Sequence, residues 1–222
     1  MTRGPSAREV FNETRNTVHN LVGLGLADDS RDPVLTVRNG RSTIQTQVRV
    51  DGSVLHADSY AALYEDQFLR GVYNALLPDG ALLQMCYEFA GRTLASHRLA
   101  YLPSPDLEPF QNDPEMYIRE VPYLDVVGRQ VVPVPLRFDY DARPGVAQDG
   151  AHPVSHLTLG QYAHCRIALT GPVRPSVFAD FVVRHFYSAP GYSLARLASA
   201  ERGFSPTITT AEALDTHLSI ML

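Results

Sequence analysis

The Asn39-Gly40 dipeptide constrains this chain more than any other feature, because it sits between two segments that alternate polar and apolar residues. Both residues tolerate the positive φ of a two-residue hairpin turn, whose twist matches that of paired antiparallel strands. Residues 34–38 and 42–50 therefore read as the two arms. In the second arm Thr43, Gln45, Gln47 and Arg49 alternate with Ile44, Val48 and Val50, the two-residue period of a strand with one face buried and one face wet. The pattern recurs. Residues 81–89 and 93–102 flank Gly91 as a second hairpin, and residues 154–159 and 165–169 form a third pair of short strands. Residues 131–140 read as a further strand, with Pro133 and Pro135 placing its start on a sheet edge.

Helical spacing of apolar residues appears between these strands. The spacing predicts a helix over 7–24, capped by Ser6 and ended by Gly23 and Gly25. A second begins at Asp58 or Ser59 and runs to about Leu77, and a third, over 176–187, turns Val177, Phe178, Phe181, Val182 and Phe186 inward. Shorter helical pieces lie near 194–200 and 210–216, and 103–112 and 141–150 have loop composition. The fold class expected is α+β: an antiparallel, curved sheet of six or seven strands with helices packed on one face, in a single domain spanning 1–222.

At 222 residues the chain can bury a sizeable core without metals or disulfides. No apolar run approaches the roughly 20 residues of a membrane span. The first 26 residues carry Arg3, Arg8, Glu9, Glu13 and Arg15, which leaves no apolar centre for a secretory signal. Two cysteines, Cys86 and Cys165, make no disulfide framework, so a cytoplasmic protein is expected.

The formal net charge of -5 hides an asymmetry. Residues 1–150 hold 14 Arg against 20 acidic residues, whereas 151–204 hold 5 Arg against Asp180 and Glu201. Every basic residue is Arg, which points to coding bias rather than to a choice for phosphate. Histidines follow the same skew: His152, His156, His164 and His185 put four of the eight within 34 residues.

Strand alternation sorts the side chains of this region. In Leu136-Arg137-Phe138-Asp139-Tyr140-Asp141 the charged residues take one parity. His156 and Thr158 share a face in the next strand, and His164 and Arg166 oppose Cys165, Ile167 and Leu169 in the one after. If the strands pair in order, Arg137, Asp139, His156, His164 and Arg166 converge on one face, with Phe138, Leu157 and Ile167 on the other. His152 falls on the same parity if the chain stays extended through Pro153. The bland account of this face is a set of solvated cross-strand ion pairs.

The residues Arg137-Phe138-Asp139-Tyr140-Asp141, His152-Pro153-Val154-Ser155-His156 and Cys165-Arg166-Ile167, followed by Pro175 and a helix ending Phe186-Tyr187, resemble an uncharacterised bacterial family, a domain of unknown function. The resemblance covers residues 135–187 and implies no activity. Arg137-Phe138-Asp139 with Ser155-His156 is also loosely similar to toxin domains of bacterial toxin-antitoxin pairs, and His156-Leu-Thr158 with His217-Leu-Ser219 looks like the paired strands of two-histidine phosphoesterases.

Three uses of the face are open. The first is metal-independent phosphodiester or RNA processing of toxin or defence type: His156 and His152 exchange protons, Arg137 and Arg166 clamp the phosphate, and Asp139 completes the set. Its ligand is a single RNA strand or a nucleotide. The second is a metal centre on Asp139, Asp141, His152 and His156, whose spacing matches no standard motif, so no metal and no cofactor are expected. The third is a non-catalytic binding or regulatory module that holds a partner protein with this face or with the acidic 106–120 loop. The acidic balance argues against tight duplex DNA binding.

Overall fold

The computed structural model describes residues 4–48, 59–105, 134–147, 151–160, 165–187 and 203–220. Their elements run, in chain order, α1 (Ala7–Gly23), β1 (Asp29–Ser30), β2 (Val34–Arg38), β3 (Arg41–Gln45), α2 (Tyr60–Leu69), β4 (Ala75–Leu76), β5 (Leu82–Ala90), β6 (Thr93–Leu102), β7 (Leu136–Asp141), β8 (Ser155–Leu159), β9 (Arg166–Leu169), α3 (Pro175–Phe186), α4 (Thr210–Ala213) and β10 (His217–Leu218). His164, the acidic 106–120 loop and the helix expected near 194–200 lie outside the described residues.

The strands form one open sheet in the order β1-β4-β5-β6-β7-β8-β9-β10, with the β2–β3 hairpin joined to β5 through β3. Every pairing is antiparallel except β9 with β10. The α+β expectation stands, but the count of six or seven strands was too low: the described residues contain ten. The additional strands β1, β4 and β10 have two residues each, too short for a period to show.

Turn chemistry explains the hairpins. Asn39 and Gly40 both have positive φ, 49° and 73°, as a tight turn between β2 and β3 requires. Gly91, at φ 60°, takes the first central position of the two-residue turn between β5 and β6. α1 begins with a reciprocal capping box between Ser6 and Glu9.

α2 is shorter than expected. It stops at Leu69 because Gly71 takes φ 66° and lets Gly71 N–H donate to the Phe68 carbonyl and Val72 N–H to the Gln67 carbonyl, a Schellman stop. The chain released there supplies β4 instead of a helix to Leu77. Likewise, the helix expected over 210–216 ends at Ala213, which frees His217 and Leu218 to pair with β9.

The core lies between α1 and α3 and one face of the sheet, where Met85, Tyr87, Leu99, Phe138 and Leu157 meet Val10, Val18, Phe178 and Val182. The helices do not all share this face. α2 packs on the opposite side, where Tyr64 joins Leu82, Ala100 and Leu102, and Gln84 donates to Gln67 at 2.9 Å. The apolar run at the ends of β5 and β6 explains this: Leu82 and Leu83 are both fully buried, so both faces need a cover there. The rest of that face is polar and lies beside α2.

α1 and α3 are tied by a buried ionic contact. Arg174, which precedes α3, donates Nε–H to Glu13 Oε2 at 2.6 Å, while Ser176 gives its backbone N–H at 3.2 Å and its hydroxyl at 2.5 Å to Glu13 Oε1. The Glu13 and Arg174 side chains are less than a tenth exposed. Removing one partner strands the other charge away from water. Glu13→Gln is therefore expected to lower unfolding free energy by about 3 kcal/mol, measured by urea denaturation. A loss within the scatter of surface substitutions would show that the contact is not a fastening point.

Candidate active-site cleft

Register builds the site from the backbone upward. Cys86 pairs with Arg98, Arg98 with Asp139, Asp139 with His156, His156 with Ala168, and Ala168 with His217, so six strands place these residues in one lateral row on one face. The next row holds Ala100, Arg137, Thr158 and Arg166. Arg137, Asp139, His156 and Arg166 thus share a face, while Phe138 and Leu157 are buried on the other side with Ile167 half-buried beside them.

Burial overturns the picture of a solvated sheet face. Asp139 is 9% exposed and His156 only 2%. The Asp139 carboxylate takes Nε–H of Arg98 on Oδ1 at 3.3 Å and Nε–H of Arg137 on Oδ2 at 2.5 Å. Burial alone would raise the Asp139 pKa, but the two guanidinium charges outweigh it and hold the carboxyl below its usual range. Asp139 is thus a fixed anion between two cations.

His156 is set by its other neighbours. Its Nδ1 lies 2.8 Å from the Pro153 carbonyl oxygen, an atom that can only accept, so Nδ1 carries a proton. Burial lowers the pKa of the ring more than Pro153 and Asp139 raise it, and the neutral form is favoured. Nε2 then presents a lone pair 3.7 Å from Asp139 Oδ2. Two acceptors facing each other at that distance are stabilised by a proton or a donor shared between them.

His152 joins the pair. Its ring meets that of His156 edge-on with centroids 4.8 Å apart, which puts the two imidazoles on the same side, and its Nδ1 is buried without a hydrogen-bond partner among the described residues. The turn that carries it is anchored where Asp141 N–H donates to the Val154 carbonyl at 3.0 Å.

These groups line a cleft of about 410 Å3, of the size that small-molecule sites occupy. Arg137, Asp139, His152 and His156 are among its lining residues; Arg166 stands one row away and is not. The cleft also takes in residues that sequence reasoning missed: Cys86, Glu88, Ser96, His97 and Arg98 from β5 and β6, and Arg143. The polar parity of Ser96 and Arg98 was a signal, but only the register of β6 on β7 connects it to Asp139. Three carboxylates in the lining, of Glu88, Asp139 and Asp141, match three guanidiniums, of Arg98, Arg137 and Arg143. As metal ligands Asp139 and Asp141 would have to give up guanidinium partners, since Arg143 holds Asp141 as Arg98 and Arg137 hold Asp139.

A family model of uncharacterised conserved proteins, DUF2290, matches residues 26–220. The chain belongs to the DUF2290 family. The match extends far beyond residues 135–187 and takes in every strand and the whole cleft, leaving α1 outside. No curated protein and no solved structure shows a significant match. Among the described residues no helix is long and apolar enough to cross a membrane.

His97 reaches the cleft from the core side of the sheet. Its Nε2 accepts the Val173 backbone N–H at 2.9 Å, which requires a neutral ring, and burial lowers its pKa to about 4. The unfolded chain, with an ordinary pKa near 6.5, binds this proton first as the pH falls. Stability from neutral His97 is therefore complete above pH ~6.5 and is lost between there and about 4. His156 acts in the same direction, whereas Asp28 and Asp79, raised mainly by burial, act in the opposite one. The contribution of His97 is isolated by comparison with His97→Gln, in which the other groups persist. Melting temperature is expected to fall more steeply from pH 7 to 4.5 in the wild type than in His97→Gln; parallel curves would contradict a neutral, buried His97.

Proposed function

We propose that the cleft is the active site of a metal-independent enzyme that cleaves a phosphodiester, with single-stranded RNA as its substrate class. The observation that carries this reading is the state of His156: a neutral imidazole whose Nδ1–H is held by Pro153 and whose Nε2 lone pair lies 3.7 Å from Asp139 Oδ2 in a cleft lined by three guanidiniums. This is the form a general base needs at neutral pH. A 2′-hydroxyl would give its proton to His156 Nε2 as its oxygen bonds to phosphorus. The 5′ oxygen leaves with the electrons of its P–O bond and takes a proton from His152, which acts as the acid. Asp139 stabilises the imidazolium formed on His156 at 3.7 Å. Arg98 and Arg137 face the charge that develops on the phosphoryl oxygens.

The contact between the two rings suits this division of labour. A charge on His152 disfavours one on His156, which favours the neutral ring that a base needs. The balanced charge of the lining also favours a flexible single strand over duplex DNA, which is bound by an excess of cations. The similarity of Arg137-Phe138-Asp139 and Ser155-His156 to toxin domains is consistent with a toxin or defence setting.

His156 is buried and bonded, so its truncation to alanine would disturb packing. His156→Asn is the better variant, because a side-chain amide can donate to Pro153 while the base is removed. With a 5′-labelled RNA oligonucleotide in chelator, His156→Asn is expected to cut more slowly by about 100-fold or more, with a melting temperature near that of the wild type. A wild type that leaves such oligonucleotides uncut, or an asparagine variant as fast as the wild type, would overturn the reading. A partner protein captured by the uncut wild type would instead favour a binding module.

A further inference from the structure

The row beside His156 has a different electrostatic character. Ala100, Arg137, Thr158 and Arg166 are successive cross-strand neighbours, and none of these four paired positions carries a carboxylate. Thr158 is 6% exposed and its Oγ1 makes no hydrogen bond among the described residues. Directly opposite, Arg166 Nε is buried and also makes none among those residues. A buried donor without an acceptor costs about 1–3 kcal/mol, and two adjacent ones call for an explanation.

The chemistry of the two groups narrows what would satisfy them. A guanidinium N–H only donates and keeps its proton, while a hydroxyl can donate beside it. One ligand that accepts from both is an oxyanion. Charge points the same way: the acids and arginines lining the cleft balance, whereas Arg166 lies outside that lining and makes no ion pair among the described residues. Its positive charge also reaches the neighbouring row, where it disfavours protonation of His156. Thr158 stands two residues along β8 from His156, a spacing of about 7 Å.

We propose that Thr158 and Arg166, beside Arg137 in the same row, form a binding site for a phosphate group that flanks the reacting bond. The substrate then carries at least two phosphates, as successive nucleotides of one RNA strand do. The position of this phosphate next to a reacting bond rests on the phosphodiester reading; the phosphate site itself stands on the unpartnered donors. Thr158 and Arg166 act in it as binding residues, outside the proton transfer.

The test uses the full chain labelled with 15N and follows the Arg166 Nε–H resonance during addition of inorganic phosphate. A saturable shift is expected, with none from acetate at the same concentration. Thr158→Val should weaken phosphate binding about tenfold, and Arg166→Lys, which keeps the charge but lacks Nε–H, should weaken it further. Phosphate binding by a wild type that leaves RNA uncut would retain this site and discard the enzyme reading. In a second arm, a uridine dinucleotide with a 5′-phosphate should bind more tightly than one without it, and Thr158→Val should erase that difference. An Nε–H resonance unmoved by phosphate, an equal response to acetate, or full affinity in Thr158→Val would overturn the proposal. The wild-type resonance decides the matter even if a variant fails to fold.

Discussion

The Asp139 carboxylate, buried between the guanidiniums of Arg98 and Arg137, is the interaction on which the polar half of this structure depends. It takes one Nε–H on each oxygen, joining β6 to β7 across the sheet and linking two positions within β7. Without the carboxylate, two cations would remain on a largely enclosed face; without the cations, a buried anion would have to take up a proton. The network therefore stands or falls as a unit. It also keeps a negative charge beside His156 Nε2, where it opposes the depression of the imidazole pKa by burial.

The opposite face of the sheet supports this arrangement through backbone contacts. The segment before α3 is held on the core side by Tyr87, whose hydroxyl donates to the Val173 carbonyl at 2.9 Å, and by His97, which accepts the Val173 N–H. Arg174 then turns to Glu13 of α1. One short stretch of chain thus connects two central strands to both core helices. His97 belongs both to this anchor and to the cleft lining, so the stability of the core and the shape of the cleft share a neutral histidine.

Much of the fold was legible in local chemistry. Asn39-Gly40, the Ser6 cap and the alternation in 136–141 each specify a structure within a few residues, and all three appear as expected. What escaped was decided by partners distant in sequence. Ala75-Leu76 and His217-Leu218 carry no period of their own and become strands because β5 and β9 offer free edges. The end of α2 hinged on the left-handed Gly71, and a local apolar pattern running on to Leu77 concealed it. At the site, the shared face of Arg137, Asp139, His156 and Arg166 followed from parity alone, whereas the burial of that face did not. Arg98 and His97 were missed because nothing within 93–102 indicates which strand lies alongside. The contact of His152 with His156 depends on a turn through Pro153 that alternation does not describe.

The account turns on the protonation of one ring, and the two nitrogens of His156 report it directly. In the full chain labelled with 15N-histidine, a long-range proton–nitrogen spectrum at pH 7 should show His156 Nδ1 as a protonated, pyrrole-type nitrogen and Nε2 as an unprotonated, pyridine-type one. Both nitrogens protonated, or the proton on Nε2 with Nδ1 bare, would contradict the structure of the site and remove the base on which its chemistry rests.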